Sequence, residues 1–481
     1  MATRTRETSG EPVPFDAHGI EPVPTGDRDS TPLHLFWIWM GANIAPINWV
    51  LGALGIILGL SLVQTILVVV VGNVIGCAIF GLFSVMGHRT GVNQMVLARS
   101  AFGRRGAYVP GVAQMLLAMG WLGVNTWIVL DLAMGVLREL GYDAGSGARY
   151  AVGFGIMLLQ VLIAIYGYYA IRSFEKWTVP IAAAIMVLMT VLAAVEVDIA
   201  WNRSDLSGGE SFTSMTQLMT AIGVGWGISW LTYSSDYSRF TRTDFTDRQV
   251  FWGTSLGMFI PTVWLATLGA AIASTNTEAD PSRIVAEVFG VMTIPVLLVI
   301  LHGPVATNIL NIYSASLAAL SLDIKIPRWK ISAAAGVLGS IVLVFFLRSD
   351  SFAQSFDHWM ISIIVWISPW AGITLVEYYV LRRGRVDVDG LYAPPERSPF
   401  GDVNWRAIGS LVAGLIAGWA WEFGLVEEFQ GPVAKALGNT DFSWLAGMLV
   451  AGGLYYVTAR KRVGPGTSKP TEMTARSAAG D

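Results

Sequence analysis

Apolar runs of about 20 residues, the length that crosses a hydrocarbon core, recur along nearly the whole chain. Short clusters of charge, glycine and proline separate them. They predict twelve spans near residues 34–60, 62–86, 108–137, 150–170, 178–198, 214–236, 249–274, 290–320, 331–347, 358–381, 406–424 and 442–459. None alternates polar and apolar positions as a membrane strand would, so each reads as a helix. Polar stretches with turn formers flank the block: Pro12, Pro14, Pro22 and Pro24 at one end, Gly464, Gly466 and Pro470 at the other. These predict mobile tails. Residues 1–31 lack the basic-then-apolar order of a cleaved signal peptide.

Two spans carry signals that break a helix. The first reads Trp39-Met40-Gly41-Ala42-Asn43-Ile44-Ala45-Pro46, where proline frees the carbonyls of the preceding turn. The sixth has glycine at alternate positions, Gly223, Gly225 and Gly227, which lets backbone unwind or approach a ligand. Close helix packing through small residues is the competing reading of those glycines. The two breaks occupy matching positions in two five-helix halves, and an odd number of spans separates them. This is the pattern of an inverted repeat built around a midplane site.

Polar side chains within spans cluster in two further places. Trp121 and Asn125 lie four apart, on one helical face. A ring platform beside an amide suits a flat heterocycle, whose edge needs both a donor and an acceptor. Interhelical packing with an amide hydrogen bond would read the same way. The eighth span carries Gly303, Pro304, Ala306, Thr307, Asn308, Asn311 and Ser314. There a hydroxyl and freed carbonyls can hold a cation, and Asn308 and Asn311 remain for substrate. Asp131 and Asp236 are candidate proton relays, although Asp236 beside Arg239 and Glu377 beside Arg382 also fit interfacial ion pairs. His302 is a weaker relay candidate.

Composition narrows the class. Of 481 residues 53% are hydrophobic and 14% charged, well below the roughly 25% charged residues of soluble domains. The net charge of −3 gives no case for nucleic acid, and a single cysteine, Cys77, excludes an internal disulfide or a cysteine-rich metal site. No Gly-Lys-Ser/Thr phosphate loop is present, so the chain is expected to be neither an ATPase nor another enzyme. With both termini placed in the cytoplasm, all but six of the 31 Lys and Arg fall on the cytoplasmic side. The resulting plan is a cytoplasmic tail (1–32), a first five-helix repeat (33–200), an inverted second repeat (201–385), a loop with two further helices (386–460) and a second cytoplasmic tail (461–481).

Several ordered blocks resemble one family. Gly19-Ile20-Glu21-Pro22-Val23-Pro24, Gly41-Ala42-Asn43, Gln94–Gly103, Asp236-Tyr237-Ser238-Arg239-Phe240 and Tyr313–Leu317 are similar to blocks of the nucleobase:cation symporter family 1, in its purine–cytosine permease branch. The resemblance spans roughly residues 18–460. It implies an all-α leucine-transporter-type fold, a 5+5 inverted repeat plus two helices, with helices 1 and 6 discontinuous. It also implies coupled import of a nucleobase across the plasma membrane, with cytosine or a purine first. Allantoin, a hydantoin, uracil or a thiamine-pyrimidine precursor are the alternatives, and a non-transporting receptor or uncoupled channel lies outside them.

By position, the resemblance assigns Trp121, Asn125, Ser229, Asn308 and Asn311 to the substrate. Gly227 stands where the family has its sixth-helix aromatic, with Trp226 beside it, and Gly41, Asn43 and Ala45 would contribute from the first break. Gly41, Ile44, Gly303, Ala306 and Thr307 would hold a cation, but the family's serine–threonine pair reads Ala306-Thr307 here. A proton is therefore expected ahead of sodium. No organic cofactor or obligate protein partner is expected; the partners are the heterocycle and membrane lipid.

Overall fold

The computed structural model describes residue 16 and residues 18–142, 145–204, 206–275, 293–348, 365–424 and 430–461. Parts of the predicted spans 290–320 and 358–381, and most of both tails, lie outside them. The first predicted span is two helices, α1 (Pro32–Asn43) and α2 (Pro46–Ile57), bent by 59°. It is followed by α3 (Leu62–Thr90), the short α4 (Gln94–Leu97) and α5 (Arg99–Phe102), and then α6 (Tyr108–Glu139), α7 (Ser146–Tyr166) and α8 (Tyr168–Glu196). The sixth predicted span is α9 (Gly208–Leu218), a five-residue wide turn (Met219–Gly223), α10 (Val224–Ser229), a tight turn (Leu231–Tyr233) and α11 (Ser234–Ser238). Next come α12 (Asp247–Ala273), α13 (Thr293–Ile300), α14 (His302–Ser321), α15 (Arg328–Arg348), α16 (residues 365–375), α17 (Val388–Tyr392), α18 (Trp405–Ala420), α19 (Pro432–Ala436) and α20 (Ser443–Ala459).

Among the described residues seven helices are long and apolar enough to cross a membrane, or eight if α1 and α2 count as one span. The predicted boundaries shift where local chemistry decides them. Gly167, at φ +84°, ends α7 and starts α8 at once, so the fifth span begins ten residues before the sequence pattern suggested. Its amphipathic first turns had concealed it. Ser61 and Gln64 form a capping box at the start of α3, and Gly91 closes it in the left-handed region.

Helices α3, α6, α12 and α14 form the buried centre, whereas α7, α8 and α15 turn Leu158, Val187, Val191 and Phe345 outward. That is the distribution a lipid-facing rim needs. α9–α11 lie against α3 through paired glycines: a methyl at Gly227 would run into the Gly76 backbone, and one at Gly72 into the Gly223 backbone. The packing reading of the sixth-span glycines accounts for these two.

The described part of the N-terminal tail is held rather than mobile. Ser30 bridges to Thr241, and Arg239 donates to the Gly19 carbonyl at 2.8 Å. Arg28 donates to the Val23 and His88 carbonyls, and Arg172 to the Asp29 carboxylate. Asp16 is buried and accepts from His18 (3.1 Å) and the Tyr313 hydroxyl (3.1 Å). Its prolines and charges read as disorder by composition; Asp16, Arg28 and Asp29 in fact each have a partner on a helix of the bundle.

Candidate functional site

The break in the first span follows from its residues. Ala45 is extended (φ −132°, ψ 139°) and Pro46 heads α2, so the α1 ladder stops at Asn43. Side chains take up part of what is freed: Asn48 donates to the Asn43 carbonyl (2.7 Å) and Thr307 to the Ala42 carbonyl (2.7 Å), while the Asn43 amide folds back onto the Trp39 carbonyl within α1 (2.7 Å). Gly303 of α14 meets Ile44 and Ala45 backbone to backbone, leaving no room for a side chain.

These contacts place the predicted cation residues Gly41, Ile44, Gly303, Ala306 and Thr307 at one junction of α1 and α14. The Thr307 hydroxyl and the Ala42 carbonyl are paired with each other there. The sequence reading missed Glu175 of α8. Fully buried, it abuts Gly41 so closely that any side chain at Gly41 would meet its carboxylate. Its Oε2 lies 3.4 Å from His302 Nε2. Thr178 spends its own hydrogen on the Phe174 carbonyl, so His302 Nε2 donates to Thr178 at 2.6 Å. A lone Glu at the start of an amphipathic span gave no signal that it would face the break.

Beside this junction Ile47, Trp121, Asn125, Trp226, Ser229, Trp230, Tyr233, Thr307 and Asn311 enclose a cavity. It is narrow, about 10 Å³, room for about one water, so the rings must part to admit a heterocycle. Trp121 and Trp226 stand 6.3 Å apart at 84°, and Trp226 and Trp230 6.4 Å apart at 70°. The expected sandwich of Trp121 against Trp226 is therefore an edge-to-face pair in this conformation. Trp230 and Tyr233 were overlooked, although they follow Trp226 by four and seven residues and share its face.

Five of the ten residues assigned to substrate do not line the cavity. Gly227 faces α3. Asn308 points into the α6–α7 interface, donating to the Leu122 carbonyl, Thr126 and Gln160 at 2.9–3.2 Å, and its Oδ1 accepts from Asn311. Asn43 accepts from Trp226 Nε1 at 2.7 Å and so fixes that ring. Gly41 is turned to Glu175. Ala45, also assigned, is buried against Gly303. Asn125, by contrast, is buried in the cavity wall with its Nδ2 unpaired among the described residues.

The relay candidates divide. Asp131 is half-buried and away from the cavity lining. Asp236 is buried and accepts from the Gln94 amide at 2.9 Å. Arg239 does not pair with the Asp236 carboxylate but with Gly19, Tyr313 and the Asp236 carbonyl. Glu377 and Arg382 do form the expected ion pair.

Comparison with known proteins places this architecture. Residues 22–447 match the family described as permease for cytosine/purines, uracil, thiamine, allantoin. The putative purine-cytosine permease YxlA of Bacillus subtilis (strain 168) is 26% identical, over 92% of this chain and 96% of its own. The purine-cytosine permease FCY2 of Saccharomyces cerevisiae is 27% identical, over 88% and 83%. Among solved structures, Mhp1, a nucleobase-cation-symport-1 family transporter, matches in its closed conformation with bromovinylhydantoin bound, at a TM-score of 0.75 and 20% identity over 92% of this chain and 95% of that one. Its inward-facing conformation matches at 0.68. The helical fold is therefore that of Mhp1, and the chain belongs to the permease family for cytosine and purines, uracil, thiamine and allantoin.

Proposed function

We propose that this permease is a cation-coupled importer of nucleobases, cytosine or a purine first. The observation that carries the reading is the Asn125 amide, buried without a protein partner in a wall of tryptophans. A buried amide donor left unpaired costs about 1–3 kcal/mol, and a nucleobase edge offers it an acceptor while the ring stacks on Trp121. Asn311 and Ser229 face the same space. Asn308 and Asn43 act one step back, orienting Asn311 and Trp226. The purine–cytosine names of the relatives support this substrate class. Bromovinylhydantoin in Mhp1 supports the second reading, a hydantoin or allantoin substrate.

The architecture fits twelve spans, a 5+5 inverted repeat plus two helices, with both termini in the cytoplasm and the plasma membrane as location. Alternating access would rock the bundle about the cavity. For the coupling ion, the proton stays ahead of sodium, since the eighth span offers one hydroxyl, Thr307, already bonded to Ala42. Glu175 gives the junction a buried carboxylate that either ion would neutralise.

The test is uptake of radiolabelled cytosine, adenine, hypoxanthine, uracil and allantoin into proteoliposomes, under an inward proton gradient, an inward sodium gradient, or neither. Accumulation of cytosine or a purine under one gradient identifies cargo and ion. Trp121→Ala should abolish it and Asn125→Ala should weaken substrate affinity by about tenfold, while both proteins still insert. Equilibration without accumulation would overturn coupling, and preference for allantoin would move the chain to the second reading.

A further inference from the structure

Buried amides in this bundle normally find partners. Asn73 donates to the Val69 and Ile222 carbonyls, Asn404 to the Ala101 carbonyl, and Asn43 and Asn308 are paired as described. Three others do not. Asn93, Gln94 and Gln114 are each no more than 1% exposed, yet among the described residues no side-chain polar atom of theirs closes a well-formed hydrogen bond. The Tyr233 hydroxyl and Ser314 Oγ are buried and close no well-formed hydrogen bond among the described residues, their polar neighbours being Gln114 for the first and Asp236 and Tyr237 for the second.

These groups share one region. Gln114 precedes Trp121 by seven residues on α6, two turns along the same face toward the N-terminal strap, and lies beside the Tyr233 hydroxyl. Tyr233 itself lines the central cavity. Helix α4, which begins at Gln94, packs against the Leu231–Tyr233 turn, α11 and α14. Its start is pinned by the backbone bond from Gln94 to Asp236. Ser314 lies beside Asp236 and Tyr237. Through Tyr233 the cluster adjoins the central cavity, and Gln94, Gln114 and Ser314 lie packed behind it.

Resting on the nucleobase-import reading, we propose that Gln94, Gln114 and Tyr233, braced by Asp236, form a second, inner station for the heterocycle on its way to the cytoplasm. A carboxamide presents a donor and an acceptor side by side, the complement of a nucleobase edge. Two carboxamides and a phenol can take over the edge contacts as Asn125 and Asn311 release them. The tyrosine ring, shared with the central cavity, keeps an aromatic face against the substrate during the transfer. Asn73 and Asn404 close well-formed bonds to backbone carbonyls, whereas the Gln94 and Gln114 carboxamides close none among the described residues.

The experiment compares full-length wild type with Gln114→Leu, Gln114→Asn and Gln94→Leu, in detergent and in proteoliposomes. Gln94→Leu keeps the backbone bond to Asp236. Three quantities are read: equilibrium binding of cytosine and hypoxanthine, the initial uptake rate, and the thermal unfolding midpoint. The inner station predicts unchanged equilibrium affinity, an uptake rate lower by about tenfold in each leucine variant, the effect of one lost substrate hydrogen bond, and an unfolding midpoint unchanged or raised. Gln114→Asn should recover part of the rate. Wild-type uptake in both leucine variants would overturn the proposal. So would a midpoint that falls in step with uptake, the mark of a structural role, or affinity and rate falling together, which would place these residues in the central site. If wild-type protein binds and accumulates none of the heterocycles, the import reading itself fails and takes the station with it.

Discussion

The two interrupted spans solve the same problem differently. In the first, Pro46 and the extended Ala45 cut the ladder sharply, and Asn48 and Thr307 take up two of the freed carbonyls. In the sixth, no residue is fully extended. A wide turn loosens the helix, and Gly223 and Gly227 press its backbone onto α3. The first break thus exposes backbone to α14, whereas the sixth carries side chains, Trp226, Trp230 and Tyr233, into the cavity. One hydrogen bond, Trp226 Nε1 to Asn43 Oδ1, joins the two. A break made by proline opens backbone to a neighbouring helix; a break made by glycine packing yields a mount for rings.

The largest expected effect comes from filling the contacts where backbone meets backbone. Gly303→Ala should push α14 off Ile44, and Gly227→Ala should push α10 off α3, each costing about 3 kcal/mol, the upper part of the overpacking range. Uptake assays should then separate the breaks. Gly303→Ala should weaken dependence on the coupling ion, while Gly227→Ala should weaken substrate affinity. Equal losses of both quantities in both variants would show that the division of labour is false.

Next in size are the amides. Asn308→Ala removes bonds to α6 and α7 and should destabilise by about 2 kcal/mol, read as a lower unfolding midpoint. Asn125→Ala should leave the midpoint unchanged and cut affinity by about tenfold, the equivalent of one substrate hydrogen bond. Coupling between the breaks is smaller. A double-mutant cycle of Asn43→Ala and Trp226→Phe should give an interaction energy of about 1 kcal/mol in substrate binding; strict additivity would mean that the breaks act independently.

The smallest effect concerns the strap, which ties the start of the first span to the end of the sixth through Ser30 and Thr241. The hydrogen bond to Asp16 raises the His18 imidazole above its ordinary value. Burial would raise the Asp16 carboxyl, but His18, Arg328 and Arg239 outweigh it and hold it low. A raised histidine stabilises the docked strap fully below about pH 6.5, its free value, and this contribution fades as pH rises through the raised one. Protease cleavage within residues 16–30 should therefore quicken as pH rises from 6 toward 8, and His18→Gln should flatten that dependence.

Much was legible in the residues alone. Run length gave helices and a membrane, Pro46 located the first break, and the four-residue spacing of Trp121 and Asn125 put ring and amide on one face. Ordered motifs gave the family. Spacing, however, says which residues share a face and not what that face meets. Asn308 and Asn311 looked alike as a pair, yet one is consumed by Thr126 and Gln160 from remote stretches of chain and the other reaches the cavity. Trp226 pairs with Asn43 across 183 positions, and Glu175 meets Gly41 only because α8 crosses α1. The sequence by itself determined the solvent this chain folds in, the helices it makes and where one of them breaks, because those are local consequences of hydrophobicity and backbone chemistry. Only the tertiary structure decided which polar groups are already paired and which are left for a ligand, because hydrogen bonds inside a bilayer are closed between helices far apart in the chain.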